Sequence, residues 1–468
     1  MSLDHAHSPA VGTKQRADGA SHHPPVRRRG VRLPAGRFWR VQLRATEDRT
    51  PPIGPEEVRP AIRRLVISDL HLGAGDALDE FTADEELAAF VRHYAGSGEP
   101  TELILGGDTF EFLQVLLPHL DDYEWSGQAA AERLSAILRA HPAPIAALRE
   151  FVQQPGNQLS IIVGNHDFEL HYEAAKQLLR DTLGLPPGDD RLRFGTSYEG
   201  GGVYIVHGNQ FDSWNRFVYF DGICEPFEVV RGTRVVKDVI NRLKAEPLPI
   251  APLMDNVKPI SALVWYMLSL PRLRDRRTRR FVARALFMLA PSLARSRRYV
   301  PPQPAGAASG RAGGPWRGLR RRGARGVAML RSAGRRVLRS SGSGADAAAQ
   351  IEREAGQQLQ REMRAFRGDL LRSIARLAHS AEHRRNRLFV CGHTHLAQVV
   401  TVSPHQLYIN TGTWTDVVLD VASGRRIDQR FPFLEITYPD GPDAPQGQLL
   451  VWTHPEEKPQ PWRGAHTS

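Results

Sequence analysis

Five short apolar runs in this chain break off into loops of one composition, and that repetition constrains the fold more than any other feature. Leu65-Val66-Ile67-Ser68 ends in Asp69-Leu70-His71-Leu72-Gly73, and Glu102-Leu103-Ile104-Leu105 ends in Gly106-Gly107-Asp108. Leu159-Ser160-Ile161-Ile162-Val163 ends in Gly164-Asn165-His166-Asp167, and Val203-Tyr204-Ile205-Val206 in His207-Gly208-Asn209. After a long interruption, Leu388-Phe389-Val390-Cys391 ends in Gly392-His393-Thr394-His395. Apolar runs bounded in this way read as buried strands. Helical spacing fills the intervals at about 82–94, where Leu87, Phe90 and Val91 share a face, and at about 129–138, 145–153 and 170–183. Strands alternating with helices predict an α/β layered fold. In such sheets ligands bind beyond the carboxyl ends of the strands, so the polar loops converge on one site.

The loops supply Asp69, His71, Asp108, Asn165, His207, His393 and His395. This donor set mixes carboxylate, amide oxygen and imidazole without a thiolate. It suits Mn²⁺, Fe²⁺, Zn²⁺ or Co²⁺ rather than a closed thiolate site. Seven donors exceed the needs of one ion, and two ions sharing a carboxylate fit the count. On an extended backbone, Asp69 with His71 and His393 with His395 would point the same way. Neighbouring glycines, among them Gly73, Gly107, Gly164, Gly208 and Gly392, would let the backbone turn and approach the ions. Each motif alone is a common turn or a surface accident; their joint order is not.

Together these motifs resemble the calcineurin-like metallophosphoesterase superfamily over residues 65–221 and 387–421. The resemblance implies a four-layer α/β/β/α sandwich with a two-metal centre. One ion would take Asp69, His71, Asp108 and His395, and the other Asp108, Asn165, His207 and His393, with Asp108 bridging. Mn is the leading identity, with Fe, Zn or Co as alternatives. The pair would activate a shared water for in-line attack on phosphorus. By the same resemblance, His166 stands over the site and protonates the leaving oxygen. Glu111 would orient that histidine, the alternative being a solvated loop carboxylate. Asp167 is a second orienter or a helix cap.

Gly107-Asp108-Thr109-Phe110-Glu111 lacks the Arg expected in the superfamily's phosphoprotein phosphatases. With Ser68–Leu72, Asn165–Phe168 and Gly392–His395 it is similar to the UDP-2,3-diacylglucosamine pyrophosphatases, which cleave a pyrophosphate in a lipid-linked nucleotide sugar. Those enzymes often carry Arg at the position of His166 and usually Asp at that of Asn209. The expected reaction is hydrolysis of a phosphoester or pyrophosphate. The alternatives are a phosphodiesterase or nuclease of the same superfamily, or a binding protein with a relic site.

The interruption between His207 and His393 carries a long helical, basic insertion, expected over 222–386. It holds an apolar stretch at 260–270, a second at 281–293 and a low-complexity run at 301–314. From 271 to 340 there are 20 Arg, no Lys and one acid, Asp275, whereas the whole 468-residue chain has a net charge of +11. The rest of the protein is therefore acidic on balance. Three readings of the basic segment stand: a solvated insert, an element for anionic membrane surfaces, or a phosphate-contacting nucleic-acid surface. The sparse aromatics, Tyr299 and Trp316, argue against a stacking platform for bases. A polar helix is expected from about 346 to 384. Residues 1–60 read as a basic, disordered tail with a short strand or anchor near 38–41, and 457–468 as a C-terminal tail. The core is expected over 61–221 and 387–456. The two cysteines, Cys224 and Cys391, form no disulfide framework and fit a reducing compartment. No apolar run is long enough to span a bilayer. The expected location is the cytoplasm, including the inner face of the membrane. Oligomeric state and natural substrate are not readable.

Overall fold

The structure, a computed structural model, describes residues 44–59, 62–244, 368–416, 418–420, 425–426, 430–454 and 456–464, with isolated helical positions at 280, 284, 287, 288, 357, 361 and 364. The anchor expected at 38–41, the apolar stretch at 260–270 and nearly all of 271–340 lie outside these residues.

Alternation along the strands sets the layers. In chain order the first eight strands are β1 (Arg44–Arg49), β2 (Arg63–Ile67), β3 (Thr101–Leu105), β4 (Gln158–Ile162), β5 (Leu192–Gly195), β6 (Tyr198–Gly200), β7 (Val203–Ile205) and β8 (Gly222–Glu225). There follow β9 (Leu388–Cys391), β10 (Gln398–Ser403), β11 (Gln406–Asn410), β12 (Val418–Asp420), β13 (Arg425–Arg426), β14 (Pro432–Thr437), β15 (Gln446–Thr453) and β16 (Lys458–Pro461). In β2, Leu65 and Ile67 face one apolar interior and Val66 the other. Leu103 and Leu105 of β3 repeat the first pattern and Ile104 the second. A period of two with both faces apolar is the mark of a strand covered on both sides.

Seven strands form one sheet in the order β16-β15-β14-β2-β3-β4-β5, and five form a second in the order β10-β11-β9-β7-β6. β2 to β5 run parallel, as do β7, β9 and β11. The helices α1 (Asp84–Ala95), α2 (Gly127–Ala140), α3 (Pro142–Gln153) and α4 (Glu173–Leu183) cover the outer face of the larger sheet with Leu87, Phe90, Leu134, Phe151 and Leu179. Acidic Asp84, Glu85 and Glu86 fill the first turn of α1, where they favour the helix dipole. Val66, Ile104, Ile162 and Leu434 meet Val203, Ile205, Val390 and Ile409 between the sheets. On the far side, Leu370, Ile374 and Ala378 of the helical residues 368–378 cover Phe389, Cys391 and Tyr408. The order helix, sheet, sheet, helix is the α/β/β/α sandwich that the family resemblance implies.

Several boundaries differ from expectation. Order begins before residue 60: β1 pairs with β8, Ile53 is buried and joins the core between the sheets, and Val58 packs beside it. These two apolar anchors sit among Pro and charged residues, which hides them from composition. The helix expected at 170–183 is divided into a 3₁₀ turn, Phe168–His171, and α4. The polar helix expected to reach 384 stops at 378 and gives way to turns. Strands β5, β6, β8, β14 and β16 carry no polar-loop signal and go unread in the sequence. Residues 458–461, expected as tail, pair with β15.

Candidate metal centre

Five strands, three from one sheet and two from the other, end on the same side and deliver their loops to one place. Asp69 and His71 follow β2, Asp108 and Glu111 follow β3, and Asn165 to Asp167 follow β4. His207 follows β7, and His393 and His395 follow β9. All of these side chains are buried.

The backbone at the site is unusual. Asp69 (φ 53°), His71 (53°), Asp108 (51°), His393 (67°) and His395 (60°) all sit in the left-handed region. The extended backbone considered for Asp69-x-His71 and His393-x-His395 is therefore not what forms. Each such residue stores roughly 1–3 kcal/mol, which persists only where surrounding bonds over-determine it. Here the loops are tied together: His71 N donates to Asp108 O at 3.0 Å, Glu111 N to Leu72 O at 2.8 Å, and Gly392 N to His207 O at 2.9 Å. Close approach explains two glycines. A Cβ at Gly107, whose φ is +95°, would collide with the His207 ring, and one at Gly164 with the Asp108 carboxylate.

Besides the trio of His71, Glu111 and His166, the acidic and imidazole groups gather in two sets. Asp69, His71 and His395 form one: His71 Nε2 lies 3.1 Å from His395 Nε2, which lies 3.2 Å from Asp69 Oδ1. Asp108, His207 and His393 form the other. Asp108 stands between them, with Oδ2 3.0 Å from His207 Nε2 and 3.9 Å from His71 Nε2. His71 and His395 thus lie together, while His393 joins the opposite set.

The donors fit a pair of divalent ions on the evidence of their own bonding. Asp108 Oδ2, Asn165 Oδ1 and His207 Nε2 are buried together, Asn165 Oδ1 has no hydrogen-bond partner, and Asp108 Oδ2 has only His207 Nε2 beside it at 3.0 Å. Buried polar atoms almost always find partners, and converging lone pairs without protons between them are what a cation satisfies. His207 is oriented for this, because its Nδ1 donates to Gly106 O at 3.1 Å and leaves Nε2 facing Asp108.

Glu111 is buried, which rules out a solvated loop carboxylate. Its Oε2 accepts from His71 Nδ1 at 2.8 Å and from His166 Nδ1 at 2.6 Å. Burial would raise its pKa; the two imidazoles, His166 first, outweigh burial and hold the carboxyl well below its usual range. Asp108 and Asp69 are likewise held ionised against burial, by His207 and His395 respectively. Asp167 behaves differently. Burial, reinforced by the charge of Asp108, pushes it up to about 7. Its side chain makes no capping hydrogen bond to the 3₁₀ turn Phe168–His171. Its carboxyl instead accepts from Gly164 N at 2.6 Å and Thr109 N at 2.7 Å, clamping two of the donor loops together.

Sequence reading missed Asp212, whose Oδ2 lies 3.2 Å from His393 Nε2. Burial would raise its pKa and the His393 bond lowers it below the ordinary value. The one signal in the sequence is an acidic residue shortly after His207-Gly208, and nothing there says which histidine it meets.

Residues 62–246 match the model of the calcineurin-like phosphoesterase family. The matched stretch contains the loops from Asp69 to His207. His393 and His395 lie beyond it, and the fold brings them to the same centre. The match supports a metal-dependent phosphoesterase in general. No curated protein gives a significant match to the chain. Among the described residues no helix is long and apolar enough to cross a membrane.

Proposed function

We propose that this protein is a dinuclear, metal-dependent phosphoric ester hydrolase. One observation carries the reading: Asp108 stands between two His/Asp sets, beside a histidine held by a buried carboxylate. Asp69, His71, Asp108 and His395 would hold one ion, and Asp108, Asn165, His207 and His393 the other. When bound there, two divalent ions, Mn foremost, would clamp a phosphate and activate a water for attack on phosphorus. The chain's own residues supply the rest. His166 commits Nδ1 to Glu111, so Nε2 is the atom through which it delivers a proton to the leaving oxygen. Glu111 fixes that tautomer and, through the same oxygen, the orientation of His71.

The substrate we favour is a pyrophosphate in a lipid-linked nucleotide, of the UDP-2,3-diacylglucosamine kind. The wording of the motifs supports it, as does an insertion whose sequence runs from apolar to basic. A cytoplasmic protein at the anionic inner face of the membrane follows from the same reading. It would sediment with anionic vesicles at low salt and be released as screening increases. The test is a panel of monoesters, diesters, nucleic acids and a UDP-lipid, assayed with Mn²⁺. The proposal expects metal-dependent turnover, fastest on the UDP-lipid. Turnover fastest on DNA or RNA would transfer the assignment to a nuclease, and no metal-dependent hydrolysis of any ester would end it.

A further inference from the structure

We propose that Asp212 is a positioning residue of the metal centre, holding His393 by Nε2 so that Nδ1 is the nitrogen offered to the cation shared with Asp108 and His207. The inference rests on the dinuclear reading above and concerns how one of its two sites is built.

The geometry begins at the end of β7. Gly208, at φ +117°, turns the chain sharply after His207, and Asn209–Phe211 form a single 3₁₀ turn. Asp212 thereby returns to the loop that carries His393. Its Oδ1 accepts from Trp214 N at 3.0 Å, and its Oδ2 accepts from Asn215 Nδ2 at 2.6 Å and faces His393 Nε2 at 3.2 Å. An ionised carboxylate only accepts, so the proton of this bond sits on His393 Nε2. A neutral imidazole protonated there presents its lone pair at Nδ1. His207 is fixed in the opposite sense, because its Nδ1 donates to Gly106 O. Two histidines of one site thus bind through different ring nitrogens, each selected by the partner on the other nitrogen. A carboxylate behind an imidazole also raises its basicity as a ligand, and removing such a partner typically weakens metal binding 10–100-fold.

The loop has bracing that does not involve His393. Asn209 Nδ2 donates to Asn215 O at 3.1 Å, and Gly232 N donates to Trp214 O at 2.9 Å. Asp212→Asn therefore tests the contact rather than the fold. An amide has one oxygen, which can serve Trp214 N or the pair His393 and Asn215, and not both.

The experiment is calorimetric titration of metal-free protein with Mn²⁺, for the wild type, Asp212→Asn and Asp212→Ala, with metal-free melting curves alongside. We expect two ions per wild-type chain. In Asp212→Asn one of them should bind 10–100-fold more weakly, the other should keep its affinity, and metal-free melting should stay close to the wild type. Equal affinities at both sites in Asp212→Asn and the wild type would overturn the proposal. Nitrogen NMR of metal-free wild-type protein gives an arm that needs no variant: His393 should carry its proton on Nε2, and a proton on Nδ1 alone would overturn the assignment. A wild type that binds no Mn²⁺ at all would instead remove the dinuclear reading itself, a result distinct from either.

Discussion

Glu111 Oε2 serves two histidines at once, and the consequences belong to single residues. His71 belongs to the proposed metal set, whereas His166 is outside both ion assignments. Their rings lie edge to face at 4.7 Å between centroids. Removing His166 should therefore leave metal binding intact and lower kcat by about 10²–10⁴, the ordinary worth of a positioned acid or base. His166→Ala is checked by metal content and single-turnover rates, and loss of an ion would show that His166 is itself a ligand. Glu111→Gln should lower kcat less, since the amide oxygen still accepts from both histidines and only the carboxylate's charge is lost. At this scale the sequence was informative because donor residues and glycines recur at strand ends. Asp212 and Asp167 were not legible, since their partners are fixed by loops that meet only in the fold.

The element that closes over the end of β3 is a short helical segment with an irregular middle. Residues Arg231–Val235 are α-helical, Val236–Ile240 form a π turn and Asn241–Lys244 resume the α-helix. Asn241 Nδ2 donates to Leu113 O at 2.9 Å and Lys244 Nζ to Gln114 Oε1 at 2.6 Å, which fastens the segment to the turn just after Glu111. The π turn places Lys237 inside, 5.0 Å from the Trp125 ring centroid. Burial lowers its pKa from 10.5 to about 8, with Glu169 only partly offsetting it. The folded state thus binds this proton less well than the unfolded chain. That penalty is full below pH 8 and fades as pH rises from 8 toward 10.5. Lys237→Met should stabilise the protein at pH 7 by up to about 3 kcal/mol, with the gain shrinking above pH 8. Denaturant midpoints at pH 7 and pH 10 test this, and a destabilised variant at pH 7 would contradict it. Strands followed by donor loops were readable at this scale. β5, β6 and β8 are three or four residues long, β14 takes its place beside β2 from far along the chain, and β16 is a polar, proline-bearing edge strand paired to β15 alone, so local pattern did not reveal them.

For the whole molecule, the question is what holds the two sheets in register while their loops share one centre. The apolar layer between them is joined by a buried polar junction at Glu102. Its Oε1 accepts from Ser160 Oγ and Arg193 Nη2, both at 2.7 Å. Its Oε2 accepts from Tyr198 Oη at 2.8 Å and Arg64 Nε at 3.2 Å. Tyr198 belongs to the five-stranded sheet and the other donors to the seven-stranded one, so the carboxylate pins one sheet to the other. Glu102→Ala strands two arginines and should cost about 3–5 kcal/mol. Thermal melting checks it, and a loss below 1 kcal/mol would show that the junction is dispensable. The burial of Arg64, Glu102 and Arg193 was not legible in the sequence, because it depends on a second sheet packed against their own. This junction and the strand ends bring the donor loops together around Asp108, the proposed bridge between two ions. The most direct measurement is metal content per chain in wild type and Asp108→Ala, purified and loaded identically with Mn²⁺. Two ions are expected in the wild type, with loss of most bound metal and nearly all hydrolysis in the variant; two ions retained by Asp108→Ala would rule out Asp108 as the bridge.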